Sequence, residues 1–186
     1  AHHPRPPVPW VTVNVRRGGP GLGGIQPSQS DYFQATRSTG HGDFHLIVFA
    51  PSTIQETVDL VAKAFDIGDK YRMPVMILSD GMLGQMMEPV VLPEESNTAQ
   101  DKPWAACGHQ NKRKHNVINS LYIEPSTLEN LVRERFERYK KIQATEQMAE
   151  ESMTEDADIV VVAYGASSRV SRSAVDMARK QGIKAG

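Results

Sequence analysis

Residues 45–79 read HLIVFAPSTIQETVDLVAKAFDIGDKYRMPVMILS, and this stretch decides the fold of the chain. It holds two short runs of nearly continuous apolar side chains, residues 45–50 and 74–79, with a longer periodic segment between them. Such runs are typical of strands that are covered on both faces of a parallel sheet. Two parallel strands joined by a helix form a right-handed crossover unit. The stretch therefore predicts an α/β fold.

The segment between the two strands carries the signals of a helix. Pro51 and Ser52 open it, and Ser52-x-x-Gln55 has the spacing of a capping box. Apolar side chains then recur at helical spacing. The residues predicted to form the buried stripe of this helix are Ile54, Val58, Val61 and Phe65.

A third predicted strand, residues 11–15, is also expected to be covered on both faces, and it leads into an unusual loop. Residues 14–24 read NVRRGGPGLGG, so two arginines precede a loop in which five of seven residues are glycine. Backbone without side chains lets an anionic ligand approach closely. Arg17 suits carboxylate binding, because a guanidinium group presents a planar fork of donors to a carboxylate. The structural alternative is an ion pair between Arg17 and a nearby acid such as Asp31.

Two further motifs leave alternatives open. Gly19-x-Gly21-x-x-Gly24 fits a dinucleotide-binding pattern, but Pro20 interrupts it and no helix is signalled after it, so a structural turn is also consistent. His41-Gly-Asp43-Phe-His45 places three possible metal ligands at alternate positions, although a loop that leads into a strand explains them as well.

The second half of the chain predicts a long connector, a long helix and a new βα unit. Residues 82–116 show little periodicity, residues 116–123 can hold a short strand, and residues 127–151 have the pattern of a helix. Residues 158–163 then predict a strand. The turn that follows, Gly165-Ala-Ser-Ser, could cradle a phosphate or cap a helix that ends before Gly182, and we favour the cap.

Composition narrows the functional classes. The chain has 186 residues and a net charge of −1, so it has no global basic field to attract nucleic acid or acidic membranes. Its one cysteine, Cys107, excludes a disulfide framework within the chain and suits a cytoplasmic location. No apolar run approaches the ~20 residues of a membrane span, and the first ten residues lack a signal-peptide core. Because residues 1–10 contain four prolines, we expect this leading segment to be extended and poorly ordered.

The motifs, in their order along the chain, resemble those of the α subunits of 2-oxoacid:ferredoxin oxidoreductases. Residues 14–20 resemble the Asn-Val-x-Arg-Gly-Gly-Pro loop of that family, and residues 29–36 and 40–43 follow in the same order. Residues 83–89, LGQMMEP, resemble the branch that acts on branched-chain 2-oxoacids such as 2-ketoisovalerate. Residues 156–165 extend the resemblance, which covers most of the chain.

The resemblance implies an activity, cofactors and partners. Such enzymes decarboxylate a 2-oxoacid oxidatively on thiamine diphosphate, form an acyl-CoA, and pass electrons through iron–sulfur clusters to ferredoxin. Thiamine diphosphate with Mg would lie at the interface with a partner subunit. The clusters and CoA would lie on β and γ/δ partner chains, and this chain alone would hold none of these groups. Neither nucleic acid nor a membrane is expected as a partner.

The resemblance also assigns site residues. Arg17 takes the place of the arginine that holds the substrate carboxylate, and Gly18, Gly19, Pro20 and His41 are possible members of the active-site loop. It assigns no cofactor-binding residue and no metal ligand in this chain.

The expected domain organisation has four parts. Residues 1–10 form an unmatched lead, and residues 11–89 form the C-terminal part of a thiamine diphosphate pyrimidine-type domain. Residues 90–152 form the connector and long helix, and residues 153–186 begin a transketolase C-terminal-like domain. The family's Tyr-Pro-Ile-Thr-Pro segment and cofactor-activating glutamate are not in the sequence, so the chain is expected to be inactive alone. A non-catalytic scaffold and a nucleotide-binding module are the alternative functions.

Overall fold

The structure is a computed structural model that describes residues 9–37, 44–94 and 101–186. Three strands form one parallel sheet in the order β1-β3-β2, which confirms the predicted α/β class with its parallel sheet. The strands are β1 (Val11–Arg16), β2 (Ile47–Phe49) and β3 (Val75–Asp80). The helices are α1 (Tyr32–Thr36), α2 (Ile54–Tyr71), α3 (Gly81–Gln85), α4 (Pro125–Thr145) and α5 (Ala166–Lys180).

The three strands differ in how far they are buried. The central strand β3 is buried along its whole length, as its continuous apolar run predicts. Strand β1 lies at the edge of the sheet, and its Val13 and Val15 side chains are 54% and 52% exposed. The prediction that β1 is covered on both faces was therefore wrong: residues 11–15 read VTVNV, and this alternation of apolar and polar residues is typical of a strand with one covered face. Trp10 extends the pairing of β1, since its carbonyl accepts a hydrogen bond from the Val75 amide at 2.9 Å.

Helix α2 packs on the sheet through a stripe that agrees only in part with the predicted one: Val61 packs against the core cluster. Its buried side chains include Leu60, Ala64, Ile67 and Tyr71, whereas Phe65 is 59% exposed. The predicted stripe and the observed stripe both have helical spacing, and they pass through neighbouring residues such as Phe65 and Ala64. The direction in which the crossover returns to the sheet decides which stripe faces it. The apolar pattern identified the helix and the packing of Val61 correctly, but it missed the exposure of Phe65.

The capping box of α2 begins one residue later than predicted. Thr53 is the N-cap, and its Oγ1 accepts a hydrogen bond from the Glu56 amide at 3.0 Å. The Glu56 carboxylate in turn accepts bonds from the amide and the hydroxyl of Ser52. The box is thus Thr-x-x-Glu, which satisfies backbone donors that the first turn leaves free.

Helix α4 joins the first half of the fold through its buried Tyr139, which belongs to the same core cluster as Ile77 and Phe49. The hydroxyl of Tyr139 accepts a hydrogen bond from the His45 amide at 3.1 Å. Helix α4 spans residues 125–145 rather than 127–151, with a proline in its first turn. No strand forms over residues 116–123, which are described throughout.

The predicted strand at residues 158–163 is present only as one parallel bridge, between Ile159 and Ala185. Its hydrogen bonds involve Lys184 and Gly186, so the ladder is only a few bonds long. Helix α5 follows, and Gly182 lies just after it with φ +82°, as predicted for its position. Within the described residues, every helix is too short or too polar to cross a lipid bilayer.

Candidate active-site edge

The carboxyl ends of β1 and β3 bring the charged residues of the first half of the fold together. Arg16 ends β1, Asp80 ends β3, and the two are Cα partners in the sheet register. Arg17 and the glycine-rich loop follow β1 directly. In open α/β sheets, ligands bind outside the carboxyl ends of the strands. The carboxyl ends of β1 and β3, together with the loop that follows β1, are therefore the candidate functional site.

The glycine-rich loop closes on itself. The Gly18 amide donates to the Gln26 carbonyl at 3.0 Å, and the Gly24 amide donates to the Gly18 carbonyl at 2.7 Å. Gly23 has φ +53°, and a Cβ atom there would lie 1.8 Å from the Gly18 oxygen. Only glycine fits this position. The next helix along the chain is α1, which begins at Tyr32. The loop therefore lacks the helix N-terminus that a dinucleotide site needs directly after it.

The Arg17 side chain lies within this loop. Its Nη1 donates to the carbonyls of Gly18 and Gly24 at 3.4 and 3.3 Å, and its Nη2 donates to the Gly21 carbonyl at 3.4 Å. These are long bonds to neutral acceptors. Asp31, the suggested partner, instead accepts from Asn14 at 3.5 Å. Among the described residues no acid forms an ion pair with Arg17, so its positive charge is available to a carboxylate.

Arg16 is a functional candidate that the sequence reasoning missed. Its side chain is 1% exposed, whereas that of Arg17 is half-buried. Arg16 Nε donates to the Ser79 carbonyl at 3.0 Å, and Nη1 donates to the Tyr164 hydroxyl at 2.9 Å. Successive side chains on a strand point to opposite faces. That alternation was the signal that could have separated the two neighbouring arginines.

Asp80 connects two helices to the end of β3. Its Oδ1 accepts from the amides of Met82 and Leu83 at 3.0 and 3.1 Å, which caps α3. Its Oδ2 accepts from the Ala166 amide at 3.1 Å, at the start of α5. The turn at residues 165–168 is therefore the start of a helix, as favoured above, and a carboxylate of the chain itself contacts its first amide. Gly165 has φ +61°, and a Cβ atom there would lie 3.2 Å from Asp80 Oδ2.

Glu88 makes a second link to α5. Its carboxylate accepts a hydrogen bond from the Ile54 amide at 3.0 Å and forms an ion pair with Arg169. The Ile54 amide and, second to it, the Arg169 guanidinium lower the pKa of the Glu88 carboxyl below its ordinary value of 4.5. Glu88 lies in the LGQMMEP segment, so part of that motif supports the packing of α2 and α5.

Replacing Glu88 by glutamine is expected to remove a contribution to stability that the wild type has at neutral pH and loses at low pH. A carboxyl whose folded pKa is lowered stabilises the fold above its ordinary pKa of 4.5, and this contribution is lost as the pH falls through the lower folded value. The melting temperature of Glu88→Gln should therefore lie below that of the wild type at pH 7, and the difference should shrink towards pH 3. Thermal unfolding at several pH values checks this, and a difference independent of pH would contradict it.

A groove of about 1370 Å³ follows the edge strand β2. Its lining includes Tyr164 and Gly165 but neither Arg17 nor the glycine-rich loop. The unpaired edge of a strand commonly needs cover from another element. The groove therefore marks an open sheet edge, and it reaches the candidate site at Tyr164 and Gly165.

The predicted site residues have different outcomes. Gly18, Gly19 and Pro20 lie beside Arg17 in one closed loop. His41 and Asp43 lie outside the described residues, so the proximity of His41 to the loop stays a prediction. His45 packs edge-on against Tyr139, with 4.9 Å between ring centroids. In the described part of the chain no three His, Cys, Asp or Glu side chains are grouped as metal ligands.

Comparison with known proteins gives consistent matches. The family model for pyruvate flavodoxin/ferredoxin oxidoreductase, thiamine diphosphate-binding, matches residues 6–163. That match includes residues 6–10, which the resemblance described above leaves out. The model for pyruvate:ferredoxin oxidoreductase core domain II matches residues 157–186. The two matches meet where the chain enters the turn before α5.

Among curated proteins, the chain is similar to the ketoisovalerate oxidoreductase subunit VorB of Methanothermobacter thermautotrophicus, with 46% identity over 96% of this chain and 51% of that protein. The 2-oxoglutarate synthase subunit KorA of Methanothermobacter marburgensis is 31% identical over 96% of this chain and 55% of that protein. The chain spans about half the length of these relatives.

A solved structure shares the fold. It is the 2-oxoglutarate:ferredoxin oxidoreductase from Magnetococcus marinus with 2-oxoglutarate, coenzyme A and succinyl-CoA bound. The TM-score is 0.73 at 22% identity, over 94% of this chain and 36% of that one. The match over residues 6–163 and the VorB relatives show that the chain belongs to the pyruvate flavodoxin/ferredoxin oxidoreductase family, through its thiamine diphosphate-binding domain.

Proposed function

We propose that the chain is part of the α-type subunit of a 2-oxoacid:ferredoxin oxidoreductase that converts 2-ketoisovalerate to an acyl-CoA by oxidative decarboxylation. The observation that carries this proposal is a difference in similarity. Two VorB subunits are 46% and 47% identical to the chain, whereas KorA subunits of comparable coverage are 30–32% identical. The branched-chain substrate is therefore favoured over 2-oxoglutarate.

Arg17 is proposed to bind the carboxylate of the 2-oxoacid. The three carbonyls that it contacts are neutral and distant, so a carboxylate can replace them with shorter, charge-assisted bonds. A bidentate contact fixes both the position and the plane of the carboxylate. The carbonyl carbon beside that carboxylate is then held in one orientation, which lowers the entropic cost of reaction. Thiamine diphosphate, when bound, supplies a stabilised carbanion.

The residues described here do not fit the metal and diphosphate end of thiamine diphosphate. They contain no group of three candidate metal ligands, and the carboxylate of Asp80 accepts backbone hydrogen bonds from α3 and α5. We therefore assign the Mg and the diphosphate to a partner subunit of the β type. Iron–sulfur clusters and the CoA site are assigned to β and γ/δ subunits, with ferredoxin as electron acceptor. The relatives are named as subunits, which supports the presence of partner chains, and the CoA bound in the Magnetococcus marinus enzyme supports CoA as a substrate.

The test is a purified assembly of the full-length protein with its partner subunits. We expect reduction of a viologen dye that depends on both 2-ketoisovalerate and CoA. The kcat/KM for 2-ketoisovalerate should exceed that for 2-oxoglutarate at least about tenfold, which corresponds to a difference of roughly 1.4 kcal/mol in transition-state binding. The 186-residue chain alone should reduce no dye. If no 2-oxoacid supports reduction by the assembly, the proposed activity is wrong. If 2-oxoglutarate is the better substrate, only the branched-chain assignment is wrong.

One observation favours a second candidate, a non-catalytic scaffold. The described contacts of the Arg17 guanidinium are all with its own loop, so this side chain could serve only to close the loop. In that case Arg17 would affect the stability of the loop but not substrate affinity. The kinetics of Arg17 variants, given in the Discussion, separate the two candidates.

A further inference from the structure

The buried Arg16 side chain joins three separate segments of the chain. It donates to the Ser79 carbonyl at the end of β3, to the Ser30 carbonyl after the glycine-rich loop, and to the Tyr164 hydroxyl before α5. Its Cζ atom also lies 5.1 Å from the centroid of the Tyr164 ring. The side chain of Gln29 adds a bond to the Tyr164 carbonyl at 2.7 Å. These contacts connect the carboxyl end of β1 to residues 157–186, the segment that the second family model matches.

Arg16 forms no ion pair with an acid in the described part of the chain. Asp80 is its Cα partner, but both carboxylate oxygens of Asp80 accept bonds from backbone amides. The Nη2 atom of Arg16 is buried and has no hydrogen-bond partner. A buried cation outside an ion pair is costly to the fold, and the hydrogen bonds of Arg16 to two carbonyls and one hydroxyl offset part of that cost. The position of the Arg16 side chain therefore depends on these three contacts.

The same contacts hold the backbone of Arg17. Ser30 Oγ donates to the Arg17 carbonyl at 2.6 Å, while the carbonyl of Ser30 accepts from Arg16 Nη1. Ser30 thus links the backbone of one arginine to the side chain of the other. A shift of Arg16 would be transmitted to the base of the glycine-rich loop.

We propose that Arg16 is a positioning residue for the substrate carboxylate, acting with Tyr164 as a joint that holds the Arg17 loop at a fixed distance from residues 157–186. This inference rests on the proposed function of Arg17. The family motif leaves the position of Arg16 unspecified, so the role comes from the contacts in this chain. Arg16 does not itself need to contact the substrate. Its expected effect is on the affinity for the 2-oxoacid and not on the rate of the bound complex.

The test uses two variants of the assembled full-length enzyme, Arg16→Met and Tyr164→Phe. Methionine removes the buried charge at similar volume, and phenylalanine removes only the hydroxyl acceptor. We expect each variant to raise KM for the 2-oxoacid about tenfold, the effect of losing one hydrogen bond to a charged group, with kcat and KM for CoA changed less than twofold. Arg16→Met removes the donor from three buried or part-buried acceptors, so we expect a lower melting temperature, and kcat and KM for CoA show whether the assembly stays intact. The matched control is Arg133→Met, at an exposed i,i+4 ion pair on α4.

A structural role without positioning predicts the opposite pattern. KM for the 2-oxoacid within twofold of wild type in both variants would overturn the proposal. If the wild-type assembly shows no 2-oxoacid-dependent activity, the proposed function fails instead, and trypsin cleavage after Arg17 then decides whether the joint exists. Faster cleavage after Arg17 in both variants than in wild type supports a joint that holds the loop, and equal rates overturn it.

Discussion

Replacement of Arg17 by alanine should lower kcat/KM of the assembled enzyme for its 2-oxoacid by about 10- to 150-fold. The lost interaction is a hydrogen bond between charged groups, worth roughly 1.5–3 kcal/mol. No acid of the described chain neutralises Arg17, so its charge is free to contribute to binding. Steady-state kinetics with a varied 2-oxoacid concentration, at saturating CoA, measure the effect.

Two controls make the Arg17 result specific. Arg17→Lys keeps the charge but loses the planar fork, so its kcat/KM should lie between those of wild type and alanine. Arg133→Ala removes an exposed arginine that pairs with Glu129 on α4, and it should leave the kinetics unchanged. If Arg17→Ala behaves like Arg133→Ala, Arg17 does not bind substrate, and the scaffold is the better description of the loop.

Replacement of Asp80 by alanine should lower the free energy of unfolding by about 3–5 kcal/mol. Asp80 is 2% exposed, and its carboxylate accepts three backbone hydrogen bonds at the starts of α3 and α5. Alanine leaves those amides without their acceptor, and each buried donor without a partner is costly. Denaturant unfolding of the full-length protein measures the loss.

Asp80→Asn and Asp59→Ala are the matched variants. Asparagine keeps one oxygen acceptor and replaces the other with a donor, so its loss should be intermediate. Asp59 is exposed on α2, where it accepts a hydrogen bond from Gln55, and alanine there should change stability by no more than about 0.5 kcal/mol. A loss for Asp80→Ala as small as that for Asp59→Ala would show that water replaces the carboxylate at both helix starts.

Local sequence patterns predicted most helices and strands of the fold, but they predicted only part of how these elements pack together. The runs at residues 45–50 and 74–79 correctly indicated two parallel strands with a helix between them. The predicted face of that helix was right at Val61 and wrong at Phe65, because the buried stripe runs through Ala64 and neighbouring stripes both have helical spacing. The exposure of Val13 and Val15 was also missed, although the alternation of apolar and polar residues over 11–15 is typical of a strand with one covered face.

The strand predicted at residues 158–163 shows the same limit. Its run of valines has the composition of a buried strand, yet Val162 is 93% exposed and one bridge, to Ala185, is formed. A strand is stabilised by hydrogen bonds to a partner strand, and here residues 184–186 supply few of them. The sequence identified a segment that is suited to a strand. The short partner, residues 184–186, limits how many hydrogen bonds of the ladder can form.

The amino-acid sequence by itself determined the family, the parallel α/β class and the glycine-rich loop that carries Arg17, because these depend on local composition and on the order of motifs. Only the tertiary structure showed that Arg16, next to Arg17, is buried against Ser79 and Tyr164, and that Asp80 joins α3 to α5. Those contacts join residues up to 148 positions apart. Their partners become neighbours only when the chain folds, so no local pattern records them.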